Sequence, residues 1–233
     1  GGLAGGAAAL ALAQAGRRVT LLERATGPHH KVCGEFLSPE GAAVLERLGL
    51  APAALGAAPI ARVRLAAGRW EAAAALPFTA WGLSRRVLDA ALLEAAADAG
   101  AWIRRGMAVR TLDADGTARL ADGARLGAAR TLLATGKHAL RGWDRPARRP
   151  ALGMKLHLAR HPAQARALEG HVELPLLHGG AYAGLQLVEG GVANLCWLGA
   201  PAMPCPPGTL LAARLAGARP LWPRPLAVAR VPY

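Results

Sequence analysis

The chain has 233 residues, of which 53% are hydrophobic and 18% charged, so it can bury a core and is not expected to be disordered. The net charge of +13 suits an anionic partner, but the basic residues are scattered singly or in pairs and aromatics reach only 4%, so we expect no nucleic-acid partner. No CxxC pair and no apolar run of about 18–20 residues occurs, which predicts a cytoplasmic protein with reduced thiols and no transmembrane segment.

The first predicted elements follow the glycine-rich start of the chain. Residues 5–15 are almost all Ala, Leu and Gly, which favours a helix, and Gly16 stands where a left-handed cap ends one. The run from Val19 to Leu22 predicts a buried parallel strand. This order is typical of a βαβ unit whose first strand is missing.

Two further helices are predicted in the first half of the chain. Ser38, followed by a proline and a glutamate, opens a helix that runs to about Leu48 and stops at Gly49. Residues 60–84 read as short strand-like pieces. Helical spacing of apolar residues predicts a helix from Arg86 to Ala99.

The next segment changes to short strands. Asp115-Gly116 and Asp122-Gly123 are signals of tight hairpins, which predicts a small antiparallel insertion at about 101–130. The apolar residues from Thr131 to Gly136 then predict a strand that runs into a glycine turn.

The residues from Ala139 to Pro150 are rich in Arg and Pro and mark the predicted domain boundary. Four strand-like pieces follow, with Gly190-Gly191 as a hairpin between the last two. The expected fold class is therefore α/β in residues 1–138, a Rossmann-like domain, and α+β in residues 151–233, an incomplete antiparallel-sheet domain. The strand-like pieces are Gly153 to Leu158, His171 to Leu177, Tyr182 to Val188 and Val192 to Leu198.

The opening glycines predict a dinucleotide site. In a G-x-G-x-x-G fingerprint, Gly2 and Gly5 supply the second and third glycines, and the first would fall one position before residue 1. The sequence is therefore expected to start inside the motif. Glu23 lies 21 residues beyond Gly2, where a carboxylate accepts hydrogen bonds from a ribose. The alternative is that Glu23 is a solvated strand end, and glycine spacing alone does not separate NAD from FAD.

Four segments in this order carry a resemblance to a known family: His30 to Pro39, Gly82 to Asp89, Ala134 to His138 and Tyr182 to Gln186. Together they resemble the FAD-dependent oxidoreductases of the para-hydroxybenzoate hydroxylase superfamily, particularly the branch with geranylgeranyl reductases and related flavin monooxygenases and halogenases. The resemblance implies a Rossmann-like FAD-binding domain and an antiparallel-sheet substrate domain. A later Gly-Asp flavin motif of the family does not occur, so we expect an internal fragment.

The resemblance also implies roles for individual residues. The cofactor contacts that it implies fall on Gly2, Gly5, Glu23, Arg24, Arg85, Val109, Thr135 and Gly136. The first glycines would face the FAD pyrophosphate, Glu23 the adenosine ribose, and the turn after Ala134 would close the site. Cys33 and Gly34 would lie near the isoalloxazine ring and are the candidates for the substrate side.

The function implied is an FAD-dependent oxidoreductase, either a monooxygenase or a double-bond reductase, with NAD(P)H as reductant. Apolar residues of the second domain, Leu174, Leu177, Leu185, Val188 and Leu195, favour a hydrophobic or aromatic small-molecule substrate. The alternative is an NAD(P)-binding Rossmann protein or a nonenzymatic dinucleotide-binding domain. His29, His30 and Cys33 lack a fourth ligand with local spacing, so no metal site is expected.

Overall fold

A computed structural model of the protein describes residues 1–67, 69–138, 140–143, 152–158, 166–177 and 180–199. The chain divides into two compact units, Gly1–His29, Leu48–Leu50 and Arg86–Arg148 in the first, and His30–Arg47, Ala51–Arg85 and Arg149–Tyr233 in the second. No helix in the described ranges is long and apolar enough to span a bilayer. The elements are α1 (Leu3–Gln14), β1 (Thr20–Glu23), β2 (Phe36–Leu37), α2 (Pro39–Arg47), β3 (Ala58–Ala67), β4 (Trp70–Gly82), α3 (Arg85–Asp98), β5 (Trp102–Arg105), β6 (Val109–Leu112), β7 (Ala118–Leu120), β8 (Arg125–Leu126), β9 (Leu152–Leu158), β10 (Gly170–Leu176), β11 (Tyr182–Leu187) and β12 (Ala193–Gly199).

The first unit contains a parallel strand pair, β1 and β5, with Leu21 opposite Ile103. The predicted helix and strand at the start of the chain are confirmed, each within about two residues. Helix α1 ends as predicted: Gly16 has φ 71, and the N–H of Arg17 donates to the carbonyl of Leu12 at 2.9 Å. This left-handed cap satisfies carbonyls that the last helical turn leaves open.

The predicted hairpins of the first unit are confirmed as a three-stranded antiparallel sheet of β6, β7 and β8. Gly116 has φ 84 and Gly123 has φ 89, and each follows an aspartate whose carboxylate accepts a backbone N–H two residues further on. Only glycine adopts such positive φ values without steric cost. The sheet extends from Val109 to Leu126, which is less than the predicted insertion at about 101–130. The difference arises because β5 pairs with β1 in parallel.

The predicted strand from Thr131 to Gly136 is wrong. These residues form no strand, and no β-ladder partner for them occurs among the residues that the structure describes. Leu132 is 66% exposed and Leu133 is 40% exposed. An apolar run becomes a strand only where a neighbouring strand pairs with its backbone, and no described strand does so here.

The second unit is built on a seven-stranded sheet with the order β2-β4-β3-β10-β11-β12-β9. The four predicted strands between 152 and 199 and their hairpin are confirmed, although the sheet is mixed, because β10 pairs with β3 in parallel. The predicted boundary assigns residues 60–84 to the first domain. Strands β3 and β4, which take up most of this range, instead belong to the second unit, where β3 pairs with both β4 and β10.

The two faces of β9, β11 and β12 differ in character. One face is a buried core that includes Met154, Leu158 and Trp197. Leu185 and Leu195, expected to line a substrate site, are 3% and 1% exposed and belong to this core. The same holds for the other three residues: Leu174 and Leu177 pack against core clusters, and Val188 is buried. These five side chains therefore give no support for an apolar substrate. The residues after Ala200, and most of the predicted boundary, lie outside the described ranges.

Candidate cofactor site and a buried charge cluster

The glycine loop of the first unit forms the start of α1. Gly2 is the N-cap, with φ −96 and ψ −167, and it makes no side-chain cap hydrogen bond. The first turn contains no acidic residue. The first N–H groups of a helix lack intrahelical partners and carry partial positive charge, so an uncapped start of this kind suits an anionic group such as a pyrophosphate.

Glu23 lies beside this loop, at the end of β1. Its Oε2 is 3.2 Å from the backbone nitrogen of Gly1, and its Oε1 accepts the N–H of Ala25 at 2.8 Å. The residue is only 8% exposed, so it is not the solvated strand end of the alternative interpretation. The carboxylate and the start of α1 are therefore brought together, as the ribose hypothesis requires.

The turn after Ala134 also meets the glycine loop. A Cβ added at Gly5 would lie 3.3 Å from the Cβ of Ala134, so the helix and this segment are in close contact. Gly136 has φ 65, and the hydroxyl of Thr135 donates to the carbonyl of His138 at 2.7 Å. The predicted residues Thr135 and Gly136 thus stand in a closed turn next to α1.

Arg24 and Val109 lie around the same strand end. The guanidinium of Arg24 is hydrogen-bonded to the ring of His138, with 2.9 Å between the nitrogens. The N–H of Met107 donates to the carbonyl of Glu23 at 2.9 Å, which places the start of β6, and with it Val109, beside the end of β1. Seven of the ten predicted site residues therefore belong to the first unit.

The other three predicted residues, Cys33, Gly34 and Arg85, belong to the second unit. Cys33 is partly buried and Gly34 is exposed. The N–H of Arg85, the first residue of α3, donates to Oε1 of Glu35 at 2.8 Å. Arg85 and the Cys33-Gly34 pair are thus connected through a residue that the sequence did not single out.

Glu35 is the centre of a buried charge cluster. Its side chain has no exposed surface, Oε1 accepts the ammonium of Lys155, and Oε2 is 2.8 Å from Nε2 of His157. Burial raises the pKa of this carboxyl, but the hydrogen bonds from His157 and Lys155, with help from the lysine charge, hold the pKa below its ordinary value. Glu35 is therefore a carboxylate at neutral pH.

The partners of Glu35 come from a polar row across the sheet. Lys155 and His157 are two residues apart on β9 and share a face, opposite to the apolar core. Asn194 pairs with His157 across the strands, and Gln186 pairs with Asn194. All four side chains are buried. The sequence contains a signal for this row, because Lys155 and His157 alternate with apolar residues in the predicted strand from Gly153 to Leu158.

His30 joins the cluster at its edge. Its ring meets that of His157 edge to face, with 4.6 Å between centroids, and ligand atoms of these two histidines and Glu35 lie within 4.8 Å of one another. A divalent cation there would face the ammonium of Lys155, which already neutralises the carboxylate. The charges therefore favour a cluster held together by hydrogen bonds over a metal centre.

Comparison with known proteins decides which dinucleotide the first unit is built for. Residues 1–134, more than half of the chain, match the family described as "FAD binding domain". This chain belongs to that family. The resemblance to the para-hydroxybenzoate hydroxylase superfamily and the prediction of FAD are thereby confirmed, and NAD(P)H as the reductant stays a prediction.

One curated relative of this chain is a menaquinone reductase of Mycolicibacterium smegmatis. It is 30% identical over 189 residues, which covers 75% of this chain and 43% of the relative. The chain thus spans less than half of that protein. A helix start without a side-chain cap and a buried carboxylate beside it are groups of the kind that a pyrophosphate and a ribose require.

Solved structures share the fold. The halogenase PltM in complex with phloroglucinol and FAD is similar with a TM-score of 0.74 at 15% identity, over 99% of this chain and 57% of that one. Pseudomonas aeruginosa PqsL in complex with 2-aminobenzoylacetate has a TM-score of 0.65 at 19% identity, over 92% and 61%. The flavin-dependent brominase Bmp2 has a TM-score of 0.75 at 17% identity, over 94% and 61%. At these identities the likeness shows the fold alone.

Proposed function

We propose that the protein is an FAD-dependent oxidoreductase that acts on a hydrophobic or aromatic small molecule. The observation that carries this proposal is the uncapped start of α1 with the buried carboxylate of Glu23 beside it, in a chain of the FAD binding domain family. An anion-binding helix start and a ribose-binding acid together are the requirements of an adenosine diphosphate site.

In this proposal Gly2 and Gly5 face the pyrophosphate, the first through its backbone and the second by letting α1 approach the segment at Ala134. Glu23 accepts hydrogen bonds from the adenosine ribose. Arg24, Arg85, Val109, Thr135 and Gly136 are assigned to the cofactor by the family resemblance. These roles require the protein to bind and orient the cofactor, while FAD supplies the redox chemistry when it is bound.

Cys33 and Gly34 are proposed to contact the isoalloxazine ring. Gly34 is exposed, its φ is not in the left-handed region, and in the part of the chain that the structure describes a Cβ added there would meet no atom within 4 Å. The fold itself therefore does not require glycine at this position. A requirement for close approach by a ligand explains the absent side chain.

For the reaction, we propose reduction of a hydrophobic quinone or its apolar chain. The menaquinone reductase shares 30% identity with this chain, whereas the halogenase and PqsL structures, at 15–19%, share the fold alone. Hydroxylation or halogenation of an aromatic compound is the competing outcome. The cytoplasmic location and the NAD(P)H reductant belong to this proposal as well.

The test uses the full-length protein. We expect it to be purified with bound flavin, visible in its absorption spectrum, and to consume NADPH faster with menaquinone-type quinones than with phenols. Product analysis by mass spectrometry then separates reduction, which adds two hydrogens, from hydroxylation, which adds one oxygen. A colourless protein that binds NAD would overturn the proposal. Faster turnover of phenols with oxygen incorporation would replace the proposed reduction by hydroxylation.

A further inference from the structure

The turn formed by residues 31–35 is held from one side by buried side chains. The ammonium of Lys155 donates to the carbonyl of Lys31 at 3.3 Å. The amide of Asn194 donates to the carbonyl of Gly34 at 2.7 Å, and the amide of Gln186 donates to the same carbonyl. Each of these donors comes from the polar row of the seven-stranded sheet. The turn is thus fixed to a rigid element.

Glu35 fixes the end of this turn. It has φ 57, a left-handed conformation that is uncommon for a residue with a side chain. Its carboxylate is bound by Lys155, His157 and the N–H of Arg85, and its carbonyl accepts the N–H of Leu83 at 3.1 Å. These partners over-determine the backbone, which is the condition under which strained conformations persist.

The other side of the turn is open. Val32 is 41% exposed, Gly34 is exposed, and a Cβ at Gly34 would meet no atom of the described residues within 4 Å. The thiol of Cys33 accepts the N–H of Glu35 at 3.4 Å, so the thiol is tied to the conformation of the turn. A turn that is rigid on one side and bare on the other is built to meet a ligand.

We propose that Glu35, Lys155 and His157 are positioning residues for the isoalloxazine ring of FAD. They fix the conformation of the 31–35 turn that would face the ring, and they set the net charge near it. The inference rests on the proposed function, which places Cys33 and Gly34 at that ring. The buried pair of Glu35 and Lys155 contributes no net charge, so changing either member leaves one uncompensated charge in a low-dielectric environment.

The charge determines the expected direction of the effect. Reduction adds negative charge to the flavin, so an uncompensated cation nearby stabilises the reduced form and an uncompensated carboxylate destabilises it. Glu35→Gln is therefore expected to raise the reduction potential of bound FAD, and Lys155→Met to lower it. The double variant is expected to return towards the wild-type potential.

The potentials are measured on the full-length holoprotein by spectroscopic titration against a redox dye. Opposite shifts of the two single variants support the proposal, because a merely structural role does not reverse sign with the charge. Equal potentials in all variants, or shifts in the same direction, overturn it while leaving the proposed function intact. A wild-type protein without bound flavin overturns the proposed function and the inference together.

A second measurement covers the possibility that the single charge variants do not fold. Asn194→Ala removes one of the two amide hydrogen bonds to the carbonyl of Gly34 without changing any charge. Gln14→Ala is the control, because it removes an exposed amide-to-carbonyl hydrogen bond in the first unit. We expect alkylation of Cys33 by iodoacetamide, followed by peptide mass spectrometry, to be several-fold faster in Asn194→Ala only. An unchanged rate in Asn194→Ala, or an equal increase in both, would show that the polar row does not fix the turn.

Discussion

Breaking the ion pair of Glu35 and Lys155 should destabilise the fold far more than removing both members together. The two side chains are 0% and 1% exposed, so Glu35→Gln leaves a buried ammonium and Lys155→Met leaves a buried carboxylate. Removing one partner of a buried pair costs about 3–5 kcal/mol. The double variant should lie within about 1 kcal/mol of the wild type, because neither charge is left alone.

The measurement is urea unfolding of the full-length protein, followed by circular dichroism at a fixed FAD concentration, because bound cofactor adds its own stabilisation. Asp113→Asn is the control variant, since its partner Arg119 is 49% exposed and a solvent-exposed pair contributes little. The reasoning is refuted if the double variant loses as much stability as the two single variants added together. It is equally refuted if either single variant has the same urea midpoint of unfolding as the wild type.

Three further perturbations have defined outcomes. The pKa of Glu35 is lower in the folded than in the unfolded protein, so the stabilisation from this carboxylate is present above the ordinary pKa of 4.5 and is lost as pH falls through the folded pKa. Glu35→Gln should therefore reduce the loss of unfolding free energy at acid pH, measured as stability against pH. Gly82→Ala would place a Cβ 1.8 Å from the carbonyl oxygen of Leu187 and should cost at least about 1–3 kcal/mol in urea unfolding, whereas Gly27→Ala, with no atom within 4 Å, should stay within about 0.5 kcal/mol. Glu23→Gln should weaken FAD binding by about 10–150-fold in a fluorescence titration, because a hydrogen bond to a charged group contributes about 1.5–3 kcal/mol. Unchanged affinity would remove this residue from the cofactor site.

Local signals predicted most of the secondary structure. The glycines after the helices and at the hairpin turns act through their own φ values, and the structure places Gly16, Gly49, Gly100, Gly116 and Gly123 at positive φ. Such conformations are decided within a few residues, so a single sequence reveals them. The glycine loop and Glu23 were found for the same reason, because a helix start and the next strand end stand at a fixed separation.

Long-range pairing was not predictable in the same way. β3 and β10 are hydrogen-bonded in parallel although about a hundred residues separate them, and nothing local distinguishes a strand of one sheet from a strand of another. The convergence of Glu35 with Lys155 and His157 has the same origin, with 120 and 122 residues between the partners. The apolar run from Thr131 to Gly136 failed as a strand because β structure depends on a neighbour and not on the run itself.

The parallel contact between β3 and β10 has a consequence for synthesis on the ribosome. β3 ends at residue 67 and β10 begins at residue 170, so at about 5–20 residues per second roughly 5–20 s pass before the partner strand is made. During that interval the edge of β3 exposes unpaired backbone groups on the nascent chain. Slower translation would lengthen the exposure, so soluble yield should depend on elongation rate and on chaperones that cover nascent strands.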